Sequence, residues 1–200
     1  MRLIEHFSVY QKLPIKIDDI ASFLIEAGYV EGVEFHPTAE DGTVLAGMLY
    51  HVRYKPPYVS GDGYSTAHIV YHTGLPEPVQ RMICAKELLH IADSDEMVVR
   101  IQEDVNRLTT EMVIPPAAIS DMNSLGIKTI SDHAGMLRAA ALLFPIEARD
   151  SLKPFYDKAM SAAEIAGIVD LPFAWVDFIM SDAWPGIYEQ LISTGTKFCK

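Results

Sequence analysis

Residue texture changes at Gly32 and again at Pro76, and those changes limit what this chain can fold into. From Gly32 to Thr73 the stretches GVEFHP, TVLAGMLYHVRY and STAHIVYHTG are rich in β-branched and aromatic residues and are punctuated by Gly and Pro. This is the texture of short strands, so three or four strands of a small sheet are expected. KPPYVSGDGYS reads as a loop between them, because its prolines and glycines resist ladder pairing. Ahead of the sheet, Asp18 or Asp19 can cap a helix through IASFLIEA, which Gly28 would end. After Pro76 the pattern is helical. Glu77 to Ala92 fits one helix with Pro78 in its first turn. Glu96 to Val113 fits a second, where Val98, Ile101, Val105, Leu108 and Met112 recur at three- and four-residue spacing until Pro115 and Pro116 stop it. Further helices are expected over Asp132 to Leu143, Pro154 to Val169 and Phe173 to Ser181, with a last short one after Pro185. The expected fold class is α+β: a small mixed sheet packed on a helical bundle, with a helical C-terminal extension and a soft boundary near 117–126.

Charge and cysteine usage narrow the function. Half of the 200 residues are apolar and 22% are charged, a globular composition. The net charge of -11 disfavours nucleic acid and anionic membranes, both of which need clustered Lys and Arg. Cys84 and Cys199 lie far apart and form neither a disulfide framework nor a paired-cysteine zinc motif. The opening MRLIEHFSVYQKLPIKIDD has no apolar run of signal-peptide length. A soluble, cytoplasmic protein in a reducing compartment is expected.

One short segment carries chemistry. Within RMICAKELLHIAD, Lys86-Glu87-Leu88-Leu89-His90 has the spacing of a zinc-protease helix with lysine in place of the first histidine. Residues four apart share a helix face, so Lys86 and His90 point the same way with Glu87 beside them. Val79, Met82, Ile83 and Leu89 lie on or near that side, which turns it inward. In an H-E-x-x-H helix the two imidazoles hold zinc while the glutamate activates water.

The flanks extend the match. A strand with HIVYHTGLPEPVQRMICAKELLH feeding the helix, followed by EDVNRLTTEMVIPP, resembles the ImmA/IrrE family of zinc metallopeptidases, whose pattern is a strand, an arginine-bearing turn, A-H-E-L-G-H and then E-x-x-A-N-x-F-A-A-E-L-L-M-P. Ala85 to His90 matches the first motif except at the first histidine and the glycine, and Val105 to Pro115 follows the second. The resemblance spans roughly Asp18 to Pro116. It implies a zincin-like metallopeptidase fold over residues 1–116, with residues 117–200 as a helical region packed on it. It also implies a setting of phage, mobile-element or stress regulation and a regulatory protein as partner.

The family's roles carry over unevenly. The general base falls on Glu87 and one zinc ligand on His90. The first ligand position falls on Lys86 and the third on Gln102, with Glu103 or Asp104 offered by a slip of the alignment. Catalytic zinc needs three protein ligands, and a protonated lysine has no lone pair to give. Two unit charges about 4 Å apart repel by about 4 kcal/mol at an effective dielectric near 20, and zinc's second charge doubles that. The expectation is therefore a non-catalytic protein with no metal cofactor. In it Lys86 forms an internal ion pair with Glu87 or with an acid such as Asp104. The alternative is an active zinc metallo-endopeptidase with Glu87 as base and His90 as a ligand.

Other candidates compete. His68 and His72 sit four apart on a strand and share a side; they would rebuild a metal site if they approached His90, but such histidines are more often surface or hydrogen-bonded residues. His36, His51 and His133 suggest nothing by spacing. Cys84 lies on a different helix face from His90, which argues against a Cys/His pair. The segment SAAEIAGIVDLPFAWVDFIMSDAW has a helix-turn-helix outline, but no Lys or Arg occurs from Ala159 to Gln190, so it cannot face phosphates. Its aromatics Trp175, Phe178, Trp184 and Tyr188 fit either a protein-partner surface or core packing.

Overall fold

The computed structural model describes residues 3–39, 46–55, 63–92 and 127–194. Among these are eight helices and one three-stranded mixed sheet, an α+β arrangement. In chain order the elements are α1 (Leu3–Phe7), α2 (Ile17–Glu26), β1 (Gly32–Thr38), β2 (Gly47–Tyr54), β3 (Tyr64–His72), α3 (Glu77–Ile91), α4 (Ile127–Leu143), α5 (Ile146–Tyr156), α6 (Ala162–Val169), α7 (Phe173–Met180) and α8 (Trp184–Thr194).

β3 is the central strand. It pairs parallel with β1, Glu34 opposite His68, and antiparallel with β2, Tyr50 opposite the same His68. Side chains alternate across a strand, so odd-numbered residues form one face and even-numbered ones the other. The odd face holds Ala67 and Ile69, both fully buried, and it receives α3. At Gly47 a Cβ would stand 2.2 Å from the Ile83 side chain, so glycine there lets strand and helix meet closely. The even face carries Met48, Tyr50, Val52, Tyr54 and Tyr64, each at least 40% exposed.

α3 is enclosed on both sides. Every residue from Met82 to Leu89 is buried. A helix covered all round needs neighbours on opposite flanks; the sheet supplies one and α4 the other, with Met136 and the run Ala139–Phe144 buried. A single cluster of buried side chains runs from Leu3 to Tyr188 and draws on both sides of the expected 116/117 boundary. Two arginines fasten its helices. Arg81 of α3 donates to the carbonyl oxygens of Val169 (2.8 Å) and Asp170 (2.7 Å) at the end of α6, and to that of Ile15 ahead of α2. Arg149 of α5 donates to the carbonyls of Ile179 (3.0 Å) and Ser181 (2.9 Å) at the end of α7. Each places a cation where a helix's terminal carbonyls concentrate partial negative charge.

The strands and α3 fall where the sequence places them, and two helical expectations are corrected. Pro154 to Val169 is not one helix: α5 ends at Tyr156 and α6 begins after Ser161. The break is a capping box, in which the Ser161 hydroxyl accepts from the Glu164 amide while the Glu164 carboxylate accepts from the Ser161 amide. Those hydrogen bonds hold the Glu164 carboxyl below its ordinary value. The cap of α2 is also different: Lys16 occupies the N-cap without a side-chain bond, and Asp18 and Asp19 lie in the first turn. There they still complement the positive end of the helix. The expected helix over Glu96 to Val113 lies outside the described residues.

Candidate functional site

The K-E-L-L-H segment sits in the most enclosed part of α3. The Lys86 ammonium is 3.1 Å from the Glu87 carboxylate, and the two side chains are only 7% and 6% exposed. Adjacent helical residues do not normally face each other, so the lysine must fold back along the helix to reach its neighbour. Its stem lies against α4, where a Cβ at Gly135 would stand 3.1 Å from Lys86 Cγ and 3.8 Å from His90 Nε2. Glu87 reaches toward the sheet, with Oε1 3.5 Å from where a Gly47 Cβ would be. The pair therefore spans α3 from its α4 side to its β2 side. A buried charge needs a partner, and each supplies the other's. Two residues before Lys86, the Cys84 thiol is pushed up to about 12, first by burial and then by the negative charge of Glu87. That thiol stays protonated and is a poor nucleophile.

Of the remaining family positions, His90 lies on the same helix, half-buried, beside Gly135. Gln102, Glu103 and Asp104 lie outside the described residues, as does Cys199. Of the four aromatics that fit either a partner surface or the core, Trp175, Trp184 and Tyr188 are 1%, 0% and 4% exposed and belong to the core, and half-buried Phe178 packs edge-on against both tryptophans. Their burial removes three of the four from the outer surface.

His68 is a hydrogen-bonded residue of the sheet. It does not approach His90, because β3 turns its odd face to α3 and His68 is even. His72 instead accepts a hydrogen bond from the Gly74 amide at 2.8 Å. On the opposite face of the sheet His68 meets His36, with His36 Nε2 2.8 Å from His68 Nδ1. Glu34 completes the group: its Oε2 is 3.6 Å from the same His36 nitrogen and 3.5 Å from the same His68 nitrogen. Tyr50 of β2 stacks on the His68 ring, centroids 5.0 Å apart and planes 9° from parallel. Glu34, His36 and His68 are the one group of three His, Cys, Asp or Glu ligands found close enough to share a metal ion among the described residues.

Sequence spacing misses this group. Glu34 and His36 are two apart on a strand and so share a side, but nothing local says that β1 lies parallel to β3 in the register that sets Glu34 opposite His68. No family model, no curated protein and no solved structure matches this chain. Among the described residues, no helix is long and apolar enough to cross a membrane.

Proposed function

We propose that this chain has a metallopeptidase-like fold without peptidase chemistry at α3, and that it works by binding a regulatory protein, in the phage or stress-regulation setting its sequence resemblance implies. The observation that carries the reading is the Lys86–Glu87 ion pair. A general base must reach a water molecule and a metal. Glu87 is instead sealed in the core and neutralised by an ammonium that excludes a divalent cation from the same place. The binding surface is the even face of the sheet, where Met48, Tyr50, Val52, Tyr54 and Tyr64 offer exposed aromatic and apolar area of the kind interfaces use. The chain's charge of -11 favours a protein with a neutral or basic surface over nucleic acid or anionic lipid.

Zinc content and cleavage test the first half. Dialysed protein and His90→Ala are expected to hold the same amount of zinc, and neither to cut a peptide library in a Glu87-dependent way. Loss of one zinc equivalent in a folded His90→Ala, or cleavage abolished by Glu87→Gln, would establish the alternative: a zinc endopeptidase with His90 as ligand and Glu87 as base. Val52→Asp tests the second half. Affinity for a purified protein partner is expected to fall at least about tenfold, since a charge in a contact core is left unpaired. Unchanged affinity overturns this choice of surface, and a dimer that Val52→Asp dissociates would mean that the occupant is a second copy of this chain.

A further inference from the structure

We infer that Glu34, His36 and His68 form a three-ligand site for a divalent transition metal of the zinc type, on the sheet face turned away from α3. The three donor atoms are a single triangle with sides of 2.8, 3.5 and 3.6 Å. A circle through them has a radius of about 1.9 Å, just below the zinc–nitrogen and zinc–oxygen bond lengths of about 2.0–2.1 Å. An ion a fraction of an ångström out of their plane is therefore at bonding distance from all three at once. In a regular tetrahedron of such bonds the donors stand about 3.3 Å apart, so the two carboxylate edges already fit. The two imidazole nitrogens, which now face each other with ring centroids 5.1 Å apart and planes 14° from parallel, must separate by about half an ångström, and each ring must turn by about 35° to aim its lone pair at the ion.

The donor set selects the metal class. Two imidazole nitrogens and one carboxylate oxygen suit zinc, cobalt, nickel or copper, whereas magnesium and calcium call for oxygen shells. Three protein ligands leave a fourth position open. Solvent reaches it, since the Glu34 and His36 side chains are 58% and 42% exposed while His68 is 15% exposed. All three ligands stand on paired strands, where the ladder between β1 and β3 fixes their backbone. Tyr50 stacked on His68 restrains the most buried ring. Without metal the two rings share a hydrogen bond. Metal binding requires a lone pair on both facing nitrogens, so the donor ring moves its proton to its other nitrogen or releases it.

This inference is independent of the reading of α3. The experiment is calorimetric titration of the chelator-stripped full chain with zinc chloride, repeated with cobalt chloride and followed by visible absorption. One equivalent of zinc is expected to bind. Cobalt is expected to give the intense visible bands of a four-coordinate site, and magnesium chloride to give no heat. His36→Ala and His68→Ala should each weaken zinc binding by about 100-fold or more, because two ligands no longer hold the ion. Circular dichroism of both should match the parent, and His90→Ala should bind as the parent does. Absence of zinc binding at 100-fold excess, or binding that survives in a folded His36→Ala/His68→Ala double variant, would overturn the inference. Zinc lost on His90→Ala would instead overturn the reading of α3 and leave this site standing.

Discussion

The two faces of the sheet put ionisable side chains to opposite uses. On the α3 side a lysine and a glutamate are shut away from water and satisfy each other, Nζ to Oε1 at 3.1 Å. On the far side a glutamate and two histidines stand at similar separations, but Glu34 and His36 remain open to solvent while His68 is largely covered. In the first, the counter-charge is built in, so an external ion has nothing to gain. In the second, three donors converge without a cation of their own among them. Distance alone thus does not mark a site; what matters is whether the charge balance is already closed and whether solvent can enter.

The largest expected effect breaks the closed side. Glu87→Gln removes the carboxylate 3.1 Å from the buried Lys86 ammonium and should lower stability to urea by about 3 kcal/mol. Changing both together, Lys86→Met with Glu87→Leu, should restore most of that loss, because a buried pair replaced by apolar residues of similar size is close to neutral. A Glu87→Gln midpoint equal to the parent's would show that the pair is not sealed. Next comes the pH response of Cys84, which shares that burial. Its thiol holds its proton up to about 12 when folded but loses it from 9.0 when unfolded. Across that window the unfolded chain binds fewer protons, so stability falls as pH rises through it. Cys84→Ala should flatten this alkaline slope in denaturation curves taken at successive pH values. The smallest effect belongs to the open side: His36→Ala should change stability by less than about 0.5 kcal/mol, as exposed positions do. A larger loss would mean that the histidine pair holds the sheet together.

The fold was legible where its causes are local. β-branched runs announced three or four strands, of which three lie among the described residues, and Pro76 with Pro78 announced α3, which ends one residue before the expected Ala92. The inward face of Lys86 and Glu87 followed from helical spacing, and their mutual pairing was one of the expected arrangements. What escaped depends on contacts between distant segments. His36 gave no signal because its partner lies 32 residues on, across a parallel pairing. Trp175, Trp184 and Tyr188 were ambiguous because an aromatic side chain serves a core and an interface equally well; only the packing of α6, α7 and α8 decides it. The break before α6 was local, written in Ser161 and Glu164, but was masked by apolar residues on both sides.

Arg81 has a consequence for how the molecule can be divided. Its guanidinium sits on the central helix yet takes its acceptors from Ile15 near one end of the chain and from Val169 and Asp170 near the other. A fragment ending at residue 116 would keep the cation and lose two of its three carbonyls, leaving a desolvated positive charge half-served. The chain is thus knotted by hydrogen bonds at a single residue, and its early and late segments must stay together for that residue to be at rest.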